Sequence, residues 1–179
     1  MKRNFAFSSA VVNLESVCAP VFKGQHAKNN RLEISGSWLN VGCKFPYGSV
    51  CRPFILVACH ASSGEVLAQT ITPAPGHEQD QIELIGDALL RAGQLGIFID
   101  EVLTDCGAGF PSQELIKFCE QAGLKLLIRP AKRTYTVELY LSGMSMAVAY
   151  LLAGETPDLL RLSEVLETYC NEIYSAVIG

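Results

Sequence analysis

The segment VLTDCGAGFPSQELIKFCEQAGLKL sets an aspartate, Asp105, between an apolar run and a glycine-containing turn that leads into a capped helix. A strand ending in a carboxylate at the carboxyl edge of an α/β sheet lies where such folds take their ligands. There Asp105 can face a ligand; equally, it can bond the backbone amides of its own turn. The chain's densest basic region follows it, adjacent to that edge: Lys117, Lys125, Arg129, Lys132 and Arg133. Cationic side chains near such an edge suit phosphates, and they also suit a solvated face balancing nearby acids. Other candidates are weaker. His60 falls just past a strand end and reads as a turn residue. Asp100 and Glu101 lie inside a strand, where one must face solvent or a helix, and neither reads as a ligand.

The elements that position these residues come from a chain of 179 residues, enough for one compact domain. Hydrophobic residues make up 49% and charged residues 18%, which excludes a disordered tail and supplies a core. A net charge of −4 argues against a protein that holds nucleic acid by bulk positive charge. The 7 cysteines include no CxxC pair, and the 3 histidines stand at no metal-ligand spacing from them. Reduced thiols and a cytoplasmic location are expected. The start, MKRNFAFSSAVV, imitates a signal peptide only until Asn13 and Glu15 interrupt it. The longest uncharged run, Leu139 to Gly154, is too short and polar for a membrane span.

Residues 1–30 read as an arm and 31–179 as the core domain. RLEISGSWLNVGCKF alternates as a strand should, with Glu33, Ser35 and Ser37 on one face. PYGS marks a turn, RPFILVACH a buried central strand, and EVLAQTIT a third strand, so an antiparallel meander is expected. Helical spacing then runs from Glu78 to Ala92, with Gly93 as its stop. GIFIDEVLTD reads as a strand, a helix follows Ser112 until Gly123, and LKLLIRP is the fifth strand. Two last helices are expected, from about Tyr135 to Leu152 and from Pro157 to Val177, the second capped by Thr156. The order β-β-β-α-β-α-β-α-α predicts an α/β fold, a mixed sheet with helices packed on its faces.

With that order in place, the chain resembles the integrase catalytic cores of retroviruses and bacterial transposable elements, which have the ribonuclease H-like fold. Asp105-Cys106-Gly107-Ala108-Gly109-Phe110 resembles the family's second motif, an aspartate followed by Asn-Gly and then an aromatic. Arg129-Pro130 and the stretch from Lys132 to Thr136-Val137-Glu138 is similar to the segment that carries the third acid. LEISGSW followed by RPFILVACHASSGEVLA matches the first strand and its hairpin, and PDLLRLSEVLETYCNEIY resembles the final helix. The likeness covers about residues 31–175. It implies a five-stranded mixed sheet, its first three strands antiparallel and helices on both faces. It also implies DNA as partner, Mg²⁺ or Mn²⁺ as cofactor, homodimers, and phosphodiester cleavage with strand transfer. Asp105 and Glu138 would then hold metal, and Lys117, Lys125, Arg129, Lys132 and Arg133 would contact DNA.

The departures matter as much. Ser35 occupies the position of the family's first aspartate, and a neutral hydroxyl is a poor Mg²⁺ ligand beside a carboxylate. Glu33 shares the strand face but stands roughly 6.6 Å further back; it is the one candidate substitute. Cys106 replaces the usual asparagine and Leu139 the arginine after the glutamate. The sequence thus predicts an integrase- or transposase-like core that is impaired or inactive. Two alternatives are a catalytically inactive nucleic-acid-binding or assembly module and an unrelated cytoplasmic α/β domain.

Overall fold

A computed structural model describes residues 30–75, 77–104, 112–128 and 136–174. Seven strands form among the described residues: β1 (Arg31–Trp38), β2 (Cys43–Lys44), β3 (Val50–Cys51), β4 (Phe54–His60), β5 (Val66–Thr72), β6 (Glu101–Thr104) and β7 (Lys125–Ile128). The helices are α1 (Glu78–Leu95), α2 (Gln113–Gln121), α3 (Thr136–Leu151) and α4 (Leu159–Thr168), with a π-helical extension over Tyr169–Tyr174. The main sheet runs β5-β4-β1-β6-β7. β1, β4 and β5 pair antiparallel, whereas β6 and β7 run parallel to β1. This is the expected five-stranded mixed sheet with an antiparallel first half.

Period-two alternation sorts the strand residues onto two faces. Leu32, Ile34, Leu56, Ala58 and Val102 pack with Leu84, Ile85 and Ala88 of α1 and Leu115 and Cys119 of α2. Ile55, Val57 and Cys59 pack on the other face with Val137, Tyr140 and Met144 of α3 and Leu162 and Leu166 of α4. Both faces are covered, so β4 reads as a continuous apolar run; it is an interior strand, and the centre of the sheet, where a central RPFILVACH was expected, is held by β1.

Four boundaries differ from the sequence reading, each for a local reason. The first strand stops at Trp38, and Cys43–Lys44 instead pairs with Val50–Cys51 as a separate ribbon. Helix α1 runs through Gly93 to Leu95; Gly96, at φ 70°, ends it, and Ile97 N–H donates to Ala92 at 2.8 Å. Only Glu101–Thr104 of GIFIDEVLTD is strand, because pairing with β1 begins where Glu101 aligns with Arg31. The cap of α4 is Asp158 rather than Thr156: its carboxylate accepts the Arg161 N–H at 2.9 Å. Asp158→Ala is expected to cost about 1 kcal/mol in urea unfolding.

Gly36 holds a special place in β1. A Cβ there would come within 2.9 Å of the Ile55 carbonyl oxygen and collide with the Phe54 ring. That ring is itself packed edge-on against Trp38, with centroids 5.3 Å apart. Gly36→Ala should therefore destabilise the fold by roughly 1–3 kcal/mol. Gly86→Ala makes the control. It lies inside α1, its Cβ would meet nothing within 4 Å, and it should gain up to about 1 kcal/mol. Thermal unfolding of the two variants checks the contrast.

Candidate functional site

The carboxyl ends of β1, β6 and β7 define one edge of the sheet. β6 is aligned so that Thr104 lies beside Ile34. Ser35 is the next residue of β1, and Asp105 is the next residue of the chain after Thr104. Asp105 lies outside the described residues, as do Arg129, Lys132 and Arg133.

Glu33 and Ser35 are both buried and share the face covered by α3. Pairing shows this directly: Glu33 aligns with Cys59 and Ser35 with Val57, and both partners belong to the α3 core. Helix α3 is tied to that face at its first turn. The Thr136 hydroxyl donates to the Ala61 carbonyl at 3.2 Å, and the Val137 N–H donates to Oε2 of Glu33 at 3.4 Å. A carboxylate beneath a helix N-terminus satisfies one of its orphan donors and meets the positive end of the helix dipole. Glu138, half-buried in that same first turn, is thereby held next to the backbone that Glu33 grips.

The sequence reading missed this task of Glu33. An acidic residue on an otherwise buried strand face must find a partner, so the need was visible. The partner was not, because it lies more than a hundred residues along the chain. Ser35 is 5% exposed, one step further along the same face.

Of the expected basic region, Lys117 and Lys125 are described. Lys117 is exposed on α2. Lys125 opens β7 and faces Glu101, Nζ to Oε1 at 3.5 Å. It therefore stands at the amino end of β7, roughly 10 Å from the carboxyl edge. Glu101 also pairs with Arg31 at 2.9 Å, so Arg31, Glu101 and Lys125 form a row across three parallel strands. Glu101 is thus a buried partner of cations. His60 is buried as well, with Nδ1 at 2.8 Å from the Ser63 hydroxyl and Nε2 at 3.1 Å from that of Ser62. Both ring nitrogens serve the turn between β4 and β5.

Beneath α3 lies a cluster of protonated acids. Burial first, then the nearby Glu33 carboxylate, pushes the Cys59 thiol well up. Tyr140 donates to Gln69 Oε1 at 3.0 Å, and its phenol is also driven far upward, chiefly by burial. Cys170, pushed up by burial and drawn part of the way back by its bond to Tyr140, completes the group. Among the described residues, no three His, Cys, Asp or Glu side chains gather as a metal would require. No described helix is long and apolar enough to cross a membrane.

No family model matches the chain, and no curated protein matches it. Solved structures do. A simian T-cell lymphotropic virus intasome, in complex with PP2A regulatory subunit B56 gamma, aligns at TM-score 0.59 and 17% identity over 80% of this chain. This chain covers 49% of that one, about half its length. The catalytic core domain of BIV integrase aligns at TM-score 0.51 and 14% identity, over 80% of this chain and 85% of that one. The HTLV-2 integrase catalytic core domain, in complex with magnesium and dimeric, aligns at 0.55 and 17%, over 79% and 83%. Likeness at these identities is likeness of fold. The five-stranded mixed sheet with its helices is the ribonuclease H-like architecture of retroviral integrase catalytic cores.

Proposed function

We propose that this chain is an integrase- or transposase-type core for cleavage and joining of DNA phosphodiesters, and that Ser35 leaves it catalytically impaired. What supports the reading is that β1, with Ser35 and Glu33, pairs with β6 and holds the first turn of α3, which carries Glu138; Asp105 is the residue that follows β6 in the chain. Asp105 and Glu138 are oxygen donors, the class that Mg²⁺ and Mn²⁺ select, so the donor set fits a hard divalent ion. Such ions would supply activation of a water or DNA 3′-hydroxyl and charge neutralisation at the phosphate. Ser35 brings only a neutral hydroxyl where a shared carboxylate is wanted. Glu33 supports Glu138 from below through the Val137 amide. Arg129, Lys132 and Arg133, just ahead of α3 in the chain, would meet phosphates on the same side. A cytoplasmic location and a homodimer accord with the free thiols of the described cysteines and with the dimeric HTLV-2 core.

A second reading is favoured by the net charge of −4, which is poor for DNA binding. On it, the fold is retained for binding or assembly without turnover. Nicking of supercoiled plasmid in Mn²⁺ separates the two, using the natural protein, Ser35→Asp, and Ser35→Asp combined with Glu138→Gln. Cutting by Ser35→Asp alone supports the impaired core. Cutting by the natural protein that Glu138→Gln abolishes keeps the site and refutes the impairment. If no variant cuts, the assembly reading stands in its place.

A further inference from the structure

Between β1 and β4 the chain forms the β2–β3 ribbon, in which Cys43 and Cys51 lie directly opposite each other in antiparallel register. Residues paired in this way project to the same side of the ribbon, and their Cα atoms stand about 4.5–5.5 Å apart. A disulfide spans Cα separations of roughly 4.4–6.8 Å. Both side chains are free thiols here. So short a ribbon is not stable by itself. It is held to the body of the domain through Lys44, whose N–H donates to the Pro157 carbonyl at 2.8 Å beside the cap of α4.

We infer that Cys43 and Cys51 are an oxidant-responsive pair that closes a disulfide across this ribbon in the folded protein. Their exposure differs in a useful way. Cys43 is fully buried, while Cys51 is half-buried and near the loop after β5, its Sγ 3.8 Å from the Pro73 carbonyl. Burial and then the neighbouring Cys51 push the Cys43 thiol up, and its full burial shields it from oxidant, whereas Cys51 is within reach. Cys51 therefore reacts first. Its thiolate attacks one oxygen of a hydroperoxide; the O–O bond breaks, and the leaving hydroxide takes a proton to become water, or an alcohol if the peroxide is organic. Cys43 sulfur then attacks the Cys51 sulfenic sulfur, the S–O bond breaks, and a second water leaves. Two thiols have lost two electrons and two protons, and the peroxide has been reduced. The other described thiols suit this less: Cys59 and Cys119 are buried, no cysteine is aligned opposite either in a strand pair, and the Cys170 thiol, in the π-helical extension, is bonded to Tyr140.

The test treats the full chain with hydrogen peroxide under native conditions, alkylates the remaining thiols, and maps peptides without reduction. The expected result is a Cys43–Cys51 linkage within one chain, two fewer alkylatable thiols, and a Tm raised by about 5 °C that dithiothreitol reverses. In Cys43→Ala, Cys51 should stop at a sulfenic acid that dimedone traps. Alkylation of both Cys43 and Cys51 after treatment overturns the inference. So does linkage of Cys51 to any other cysteine, or a Cys43–Cys51 bond that forms only in denaturant. Mapping of the natural protein alone decides, whether or not the variant folds.

Discussion

Ser35→Asp is expected to raise Mn²⁺-dependent plasmid nicking at least on the order of 100-fold over the natural protein, and Glu138→Gln in the same chain to return it to background. Chemistry at phosphate depends on placing the attacking and leaving oxygens and neutralising the charge between them. A serine adds no charge to that balance. Position 35 is 5% exposed, so an aspartate there enters a nearly dry setting on the face beneath α3. Without a cation it should destabilise the fold, because an uncompensated carboxylate loses its hydration. Mn²⁺ should then restore the melting temperature, since an ion that binds only the folded state stabilises it by mass action. Ser35→Asn is the discriminating control. It matches aspartate in size and carries no charge, so it should neither nick nor gain stability from Mn²⁺. Equal nicking by the Asp and Asn variants would remove position 35 from the site.

The second large effect is on alkaline stability. Cys59 and Tyr140 are held protonated by burial, against ordinary values of 9.0 and 10.0. Both folded values are raised, so the contribution is fully present below the ordinary values. It falls away as the unfolded chain begins to release protons that the folded one keeps. Each proton retained lowers the unfolding free energy by about 1.4 kcal/mol per pH unit. The loss should begin near pH 9 with Cys59 and steepen above pH 10 with Tyr140. Urea unfolding between pH 7 and 11 reads it directly. Cys59→Ala should flatten the profile from pH 9, and Tyr140→Phe only above pH 10. Tyr140→Phe also leaves Gln69 without its donor, which should cost roughly 1–2 kcal/mol at neutral pH. A slope unchanged in both variants would show that neither group governs the alkaline limb.

Local pattern carried most of the architecture. The alternation of RLEISGSW, the apolar run of FILVACH and the turns around Ser62-Ser63-Gly64 all reported structure within their own windows, and the meander followed. Contacts between distant segments left no such trace. The β2–β3 ribbon has two residues per strand and leans on Pro157, too short for any periodicity to register. Asp158 displaced Thr156 as cap because the first turn of α4 starts later than Pro157 suggests, a choice made by packing. Of the candidate site, Ser35 and Glu33 were correctly placed on one face by the strand period alone. The grip of Glu33 on Val137 was invisible, because it joins the first strand to the third helix. Lys125 stands at the amino end of β7, because its Nζ faces Glu101 across the pair with β6, a partner that local sequence does not reveal.

The ionic row of Arg31, Glu101 and Lys125 has a consequence at the far end of β6. A strand of four residues offers few backbone bonds to fix its alignment, and slippage by one position would turn every side chain to the opposite face. For β6 such a slip would drive Glu101 into the apolar layer under α1 and α2 and strip it of both cations. That penalty makes the shifted alignment prohibitive. The amino-terminal charges thereby act as an index mark, fixing which residue of β6 stands beside each residue of β1. Thr104 closes β6 beside Ile34, so the level of that last residue along β1 is set by an ion pair at the opposite edge of the sheet. Replacing Glu101 would blur the alignment of Thr104 with Ile34 while touching neither residue.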